Sequence, residues 1–375
     1  MKPLEDFNTA RNVEIAKSCI NRLNLNLEGL SILTECASGP YAFTPIMASM
    51  AGAEVMALGR DSRYGTYADN RAIIQDVCRS YGLKDNIEFF ENDLPSDKWA
   101  LANITTNSGM LRPLNEEKIG KLNCNSMISL MWETWELRDG EIDIASCQKR
   151  GIPVVGTNEH YEKADLFCYP GMLCLKMLFE MGLEVGNNSF VLLGEGLTGR
   201  LIARDFRNLG IDFDWFVDST KKYAKEGPCI HYSEINQILQ RDRIDAVICA
   251  DHLSQSPVFG EKGYMDFKIL LESFPLVQWA HLTGPVDPKE LEESGIRYFP
   301  KGIRPHGYMS YTTENLGWEP VIMLNSAGLK VGELVANARK KGFTIEDSIQ
   351  ASVDYGIGQD FDGGFMNFKL AAQNK

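Results

Sequence analysis

The chain has 375 residues, of which 44% are hydrophobic and 24% charged, and it carries a net charge of −13 at neutral pH. That length exceeds what one core usually supports and predicts about two domains, while the acidic balance disfavours nucleic acid and anionic membranes as partners. No run approaches the roughly 18 consecutive apolar residues of a membrane span, and the first residues lack the apolar stretch of a signal peptide, so a cytoplasmic protein is expected.

Nine cysteines (Cys19, Cys36, Cys78, Cys124, Cys147, Cys168, Cys174, Cys229 and Cys249) are scattered, with no C-x-x-C pair. Neither a disulfide framework nor a zinc site is expected from them. Most read as small buried hydrophobes, Cys36 being the exception.

Residues 5–25 carry apolar side chains at helical spacing (Phe7, Val13, Ala16, Ile20, Leu23) and predict a helix laid against the first domain. An alternation follows: strand 30–35, the turn 36–40, helix 43–51, strand 54–58, helix 67–81, strands 86–90 and 100–105, helix 115–121, strand 126–131, helix 142–149 and strand 152–155. Strands alternating with helices over this length imply an α/β domain with a parallel, helix-covered sheet.

Loops at the strand ends of this domain are rich in small polar groups. Ser38 lies in a turn whose backbone amides suit an anion, with an ordinary βα turn as the plainer reading. Asn107, Ser108 and Arg112 follow strand 100–105, and Arg112 can hold an acidic group bidentately. The run from Met131 to Arg138 leaves another strand and must bend, because strict alternation sends Trp132 and Trp135 to opposite faces. Glu133 and Arg138 are its candidate site residues, against a reading as packed tryptophans with solvated acids. Residues 60–65 form a loop able to bind phosphate or simply to be solvated.

A long helix over 163–183 and the polar residues 186–188 lead into the second domain. There Ser189–Leu193 is an apolar run, and Gly194-Glu195-Gly196-Leu197-Thr198-Gly199 has the G-x-G-x-x-G spacing of a dinucleotide-binding turn. Gly194 permits the tight turn, Gly196 lets backbone approach a pyrophosphate, and Gly199 lets the next helix, about 200–208, pack on the strand. Leu197 and Thr198 belong to the same turn. Asp218 ends the next strand, 19 residues past Gly199, where a ribose 2′-hydroxyl needs an acceptor, which favours NAD; Lys221 and Lys222 keep NADP possible.

Beyond it come a helix at 233–240, a strand at 245–249, a helix at 266–273, a strand at 277–280, a helix at 287–294 and a strand at 296–299. A second long helix over 318–341 returns the chain to the first domain, where the tail 345–375 is expected to pack. His252, His281 and His306 fall just past strands or in a facing loop, where ligands of open α/β sheets bind. Histidine is the usual group for moving a proton during hydride transfer. Their spacing gives no support to a metal site.

The layout and three passages resemble the D-isomer-specific 2-hydroxyacid dehydrogenase superfamily, formate/glycerate dehydrogenase-like, as a divergent member. The passages are Glu141 to Val154, the glycine turn, and Arg304-Pro305-His306-Gly307 followed by Ser310 and Thr312. The resemblance implies two doubly wound parallel-sheet domains, a flavodoxin-like substrate domain (1–163 and 342–375) split by an inserted Rossmann dinucleotide-binding domain (164–341) that includes both crossing helices. It also implies an NAD(P)-dependent oxidoreductase acting on a small polar or acidic substrate in the interdomain cleft, with His306 as acid/base, and a homodimer. Thr283 stands where the family has its carboxylate-binding arginine, and no glutamate replaces the one that supports the histidine, leaving Glu133 as the candidate partner. Ser38, Asn107, Ser108, Arg112 and Arg138 would bind substrate, and His252 and Thr283 would flank the cofactor. His281 is similar to a position in adenosylhomocysteine hydrolase, so an NAD-retaining hydrolase or lyase with His281 catalytic is an alternative. A non-catalytic dinucleotide-sensing protein is another.

Overall fold

The computed structural model describes residues 2–84 and 86–369. Its strands, in chain order, are β1 (Ser31–Glu35), β2 (Glu54–Gly59), β3 (Ile87–Glu91), β4 (Ile104–Thr106), β5 (Met127–Ser129), β6 (Val154–Thr157), β7 (Ser189–Leu193), β8 (Asp212–Val217), β9 (Ile230–His231), β10 (Ala246–Ala250), β11 (Gln278–Thr283), β12 (Arg297–Phe299) and β13 (Gly358–Gln359). They build two α/β units, one of Met1–Leu166 with Trp318–Lys375 and one of Phe167–Gly317. The α/β class with two parallel-sheet domains expected from the alternation is therefore present.

In the first unit the strand order is β13-β6-β5-β4-β1-β2-β3, parallel throughout except that β13 runs antiparallel to β6. The chain winds outward from β1 to β3 and then restarts at β4 on the other side, so the order reverses between β1 and β4. The second unit has the order β12-β11-β10-β7-β8-β9, all parallel, with its reversal between β7 and β10. Reversal points of this kind open a crevice beyond the carboxyl ends of the strands.

β7 shows why this stretch is a central strand. Every residue from Ser189 to Leu193 is buried, and the period-2 alternation serves two layers. Phe190 and Leu192 pack with Ile202, Phe206 and Trp215, whereas Val191 and Leu193 pack with Ile235, Ile238, Phe259 and Trp279. A strand covered on both faces reads as a continuous apolar run, as this one does.

Three expectations shift. The sequence pattern predicts one strand over 100–105, but the chain forms the helix Ser96–Leu101 and only then β4. Pro95 at the cap and Asp97 in the first turn favour the helix, which buries Trp99 completely, and short apolar runs do not distinguish the two states. The helix expected over 163–183 is Pro170–Glu180. Pro170 has no amide hydrogen and would clash inside a helix, so it can stand only in the first turn. Finally, the second unit closes at Gly317 rather than 341. The helix Glu319–Lys340 is buried nearly all round and packs on the helix Lys2–Leu23 and on β4, β5 and β6 of the first unit.

The helix Ile345–Asp354 packs on Glu319–Lys340, as expected of the tail, whose last residues, 370–375, lie outside the described residues. No helix among the described residues is long and apolar enough to cross a membrane.

Candidate functional site

The glycine turn sits at the carboxyl end of β7, at the reversal point of the second sheet. Its geometry is dictated by close backbone contact. A Cβ on Gly199 would lie 2.4 Å from the Gly194 carbonyl oxygen, and one on Gly194 would lie 2.7 Å from the Gly199 Cα. The helix Gly196–Leu209 thus meets β7 backbone to backbone, with Leu201, Ile202, Ala203 and Phe206 buried behind it. Trp215 of β8 donates its indole N–H to the Gly194 carbonyl at 2.8 Å. Gly196 has φ +86°, and a Cβ there would meet His252 Cε1 at 2.4 Å and Leu253 Cδ1 at 2.9 Å. The turn is therefore roofed by the segment that follows β10.

Not all the helix amides at the turn point outward. The Gly196 N–H donates to the Tyr223 hydroxyl at 2.8 Å. Leu197 and Thr198 are half-buried, and Glu195 does not cap them with its side chain. Instead the Glu195 carboxylate turns away and accepts the backbone N–H groups of Asp218 (2.7 Å) and Ser219 (3.0 Å), with the Lys222 ammonium 3.7 Å away. The Asp218 carboxylate is largely exposed and stands 3.6 Å from His231 Nε2.

The three candidate histidines occupy different environments. His252 follows buried Asp251, whose carboxylate accepts the Tyr232 hydroxyl and the N–H groups of Leu253 and Ser254. Burial lowers the His252 pKa, Asp251 opposes this, and the charges of Lys222 and His306 add to it. His306 is exposed in the loop after β12. His281 is wholly buried in β11, and both ring nitrogens are engaged, Nδ1 with the Ser310 hydroxyl (2.9 Å) and Nε2 with the Gly284 carbonyl (3.1 Å). The expected catalytic place for His281 is corrected here: β11 runs on to Thr283 instead of ending near 280, so His281 is inside the strand. It fastens the 304–310 loop, since Ser310 also accepts the Arg304 N–H. Thr283 is buried too, its hydroxyl directed to the Tyr308 carbonyl at 3.4 Å.

Burial pushes the His281 pKa down to about 4 from 6.5. The folded state keeps the ring neutral while the unfolded chain protonates it. Stability is therefore full above pH 6.5 and is lost as pH falls towards 4, by about 3 kcal/mol at the acid end. The urea midpoint is expected to fall across this range relative to that of His281→Phe, which lacks the titrating ring, and a constant difference between the two would remove His281 from this role.

At the reversal point of the first sheet, Glu35 ends β1 and Asn107 and Ser108 follow β4. Sequence reasoning missed Glu35. Burial raises its pKa to about 7, against the Met110 N–H and the Arg112 and Arg60 charges. Asn107 is fully buried; its Oδ1 accepts the Met131 N–H, and its Nδ2 has no hydrogen-bond partner among the described residues. The Ser108 hydroxyl bonds Thr106, which bonds Thr34 across the reversal. Arg112 pairs with Glu141 and lies over the Trp132 ring at 5.0 Å. Arg60 binds the carbonyls of Gly109 and Met110, which makes the 60–65 loop a brace for the 108–112 loop.

Further along the same edge the chain bends after β5, as expected, into the turn Thr134–Glu136. Glu133 is buried and accepts the Trp135 indole N–H. Glu136 and Glu159 hydrogen-bond each other, and burial raises both, Glu136 to about 7, with the Arg138 charge opposing. Glu35 and Glu159 each stand at or just past the end of a parallel strand, the signal that could have found them. Ser38 is half-buried before the turn Gly39–Ala42 and makes no side-chain cap. Cys36 is buried, its pKa pushed up to about 12, so it is an inert thiol rather than an exception.

No protein-family model matches the chain, and no curated protein matches it. Among solved structures it is similar to a dipicolinate synthase subunit from Bacillus halodurans, at 14% identity over 84% of this chain and 99% of that one, with a TM-score of 0.51. The corresponding dipicolinate synthase chain from Bacillus subtilis gives 14% identity, 85% and 98% coverage and a TM-score of 0.50. A D-isomer-specific 2-hydroxyacid dehydrogenase from Lactobacillus delbrueckii ssp. bulgaricus, solved with NAD, gives 13% identity, 84% and 98% coverage and a TM-score of 0.41. The likeness to the two dipicolinate synthase chains is one of fold.

Proposed function

We propose that this chain is an NAD(P)-dependent oxidoreductase that interconverts a hydroxyl and a carbonyl on a small polar or acidic molecule, with His306 exchanging the proton. The observation that carries the proposal is the turn Gly194–Gly199. It lies at the reversal point of a parallel sheet, with Gly194 and Gly199 in backbone contact and a helix of 14 residues starting at Gly196.

A dinucleotide fits the residues present. The Leu197 and Thr198 amides open the helix without a side-chain cap, and a pyrophosphate satisfies amides in that position. His252 stands over Gly196 with a ring that burial keeps neutral, so it can donate one hydrogen bond to a phosphate oxygen. A bound nicotinamide would supply the hydride donor or acceptor.

His306 is the histidine of the three left open to solvent, which suits proton exchange at each turnover. Its loop is held by the Ser310 N–H on the Leu282 carbonyl at 2.6 Å and by the His281–Ser310 bond. Asn107, Ser108, Arg112 and Glu35 are the groups of the first unit proposed to bind substrate, with Ser38 and Arg138 along the same edge, where Glu133 is proposed as a catalytic carboxylate. The unmet Asn107 Nδ2 supports this, because buried polar atoms ordinarily have partners. The hydrolase or lyase reading loses its main support with His281 sealed inside β11.

The test is a screen of oxo acids, aldehydes and hydroxy acids for NADH absorbance change, run beside His306→Ala. That variant is expected to lower kcat by about 10²- to 10⁴-fold while leaving cofactor affinity within about twofold. Undiminished turnover would remove His306 from the role.

A further inference from the structure

We infer that Glu195 selects the form of the dinucleotide: its carboxylate fills the anion site at the end of β8, so the chain takes NAD and rejects NADP. The inference rests on the dinucleotide reading above and adds the residue that decides between the two forms.

Two successive backbone N–H groups aimed at one point make an anion-binding nest. Here those of Asp218 and Ser219 converge on the Glu195 carboxylate at 2.7 and 3.0 Å. In a dinucleotide fold the adenosine ribose meets the chain at this strand end, and its 2′ substituent looks for partners there. A 2′-phosphate would need these amides and a cation. The amides are taken, and Lys222 already faces the same carboxylate at 3.7 Å while lying over the Tyr223 ring.

Asp218 is the weaker selector. Its carboxylate is two-thirds exposed and faces His231, whereas the Glu195 side chain is only 12% exposed. An arriving phosphate would have to displace a nearly buried carboxylate from three partners and then lie against its charge. Like-charge juxtaposition of that kind amounts to about 100-fold or more in affinity. A free ribose 2′-hydroxyl needs only an acceptor, which the outer face of either carboxylate provides.

The experiment is calorimetric titration of NADH and NADPH into the full chain, into Glu195→Gln, which keeps the shape and drops the charge, and into Glu195→Ser, which opens the nest. The original chain is expected to prefer NADH by about 100-fold. Glu195→Gln should reduce that preference at least tenfold, and Glu195→Ser should bring it within about threefold through a gain for NADPH, with Lys222 released. Melting curves confirm that each variant is folded. An unchanged preference in both variants overturns the inference, as does a larger loss of preference in Asp218→Asn than in Glu195→Gln. Heat from neither dinucleotide with the original chain overturns the dinucleotide reading itself, a result distinct from either of these.

Discussion

Replacing Lys330 by methionine is expected to destabilise the first unit by about 3–5 kcal/mol, the usual cost of stripping one partner from a buried ion pair. Lys330 and Glu333 lie one turn apart on the helix Glu319–Lys340, with side chains 4% and 10% exposed and 2.6 Å between ammonium and carboxylate. Neither charge relies on the other alone. Lys330 also donates to the Asn24 carbonyl at 2.8 Å, and Glu333 accepts the Asn26 N–H at 2.8 Å. The pair therefore stitches this helix to the link between the helix Lys2–Leu23 and β1. Methionine conserves the apolar stem but leaves Glu333 charged and buried. In Lys330→Met with Glu333→Gln the loss should shrink to about 1–2 kcal/mol, because the amide still accepts the Asn26 N–H without an unpaired charge. Urea unfolding followed by far-UV circular dichroism measures both. A loss below about 1 kcal/mol in the single variant would mean that water reaches the pair.

Gly199→Val is expected to abolish dinucleotide binding and to cost at least about 3 kcal/mol of stability, the upper end for overpacking. What decides the size is the kind of atom encountered. The first added carbon would fall 2.4 Å from the Gly194 oxygen and 2.5 Å from its carbonyl carbon and Cα, all backbone of the turn that follows β7. Neither side can give way without moving the strand from the helix. Gly196→Ala offers the contrast, since its new carbon meets the side chains of His252 and Leu253. Those can rotate, so the expected stability loss is nearer ~1 kcal/mol, mostly from forcing alanine to a positive φ. Calorimetric titration with NADH alongside thermal melting separates the two. Full NADH binding by Gly199→Val would show that the turn does not hold the dinucleotide.

Local pattern made much of the second unit legible in the sequence. The apolar run of β7, the spacing of Gly194, Gly196 and Gly199, and the helix that follows are consequences of nearest neighbours and of periods of 2 and 3.6. No distant residue is needed to place them. Alternation of strands and helices then determined two parallel sheets. Pro170 carried its signal openly as well, as the first turn of a helix that begins later than its apolar residues suggest.

The site depended on information that no local window holds. His252, His281 and His306 look alike in sequence, each near a strand end; the continuation of β11 to Thr283 buries His281, while His306 stays exposed. Glu195 lies between two glycines, and nothing nearby says that its carboxylate will meet amides 23 and 24 residues on. Glu35, Asn107 and Glu159 come to one sheet edge only because strand order places β1, β4 and β6 there. The helix Glu319–Lys340 went to the first unit because its ion pair finds partners more than 300 residues earlier in the chain, Lys330 meeting Asn24 across 306 positions, while its buried faces pack on the helix Lys2–Leu23 and on β4, β5 and β6. Periodicity is set by covalent neighbours and survives in the sequence, whereas burial, charge pairing and pKa are set by what lies across space, and for this protein folding alone decided those.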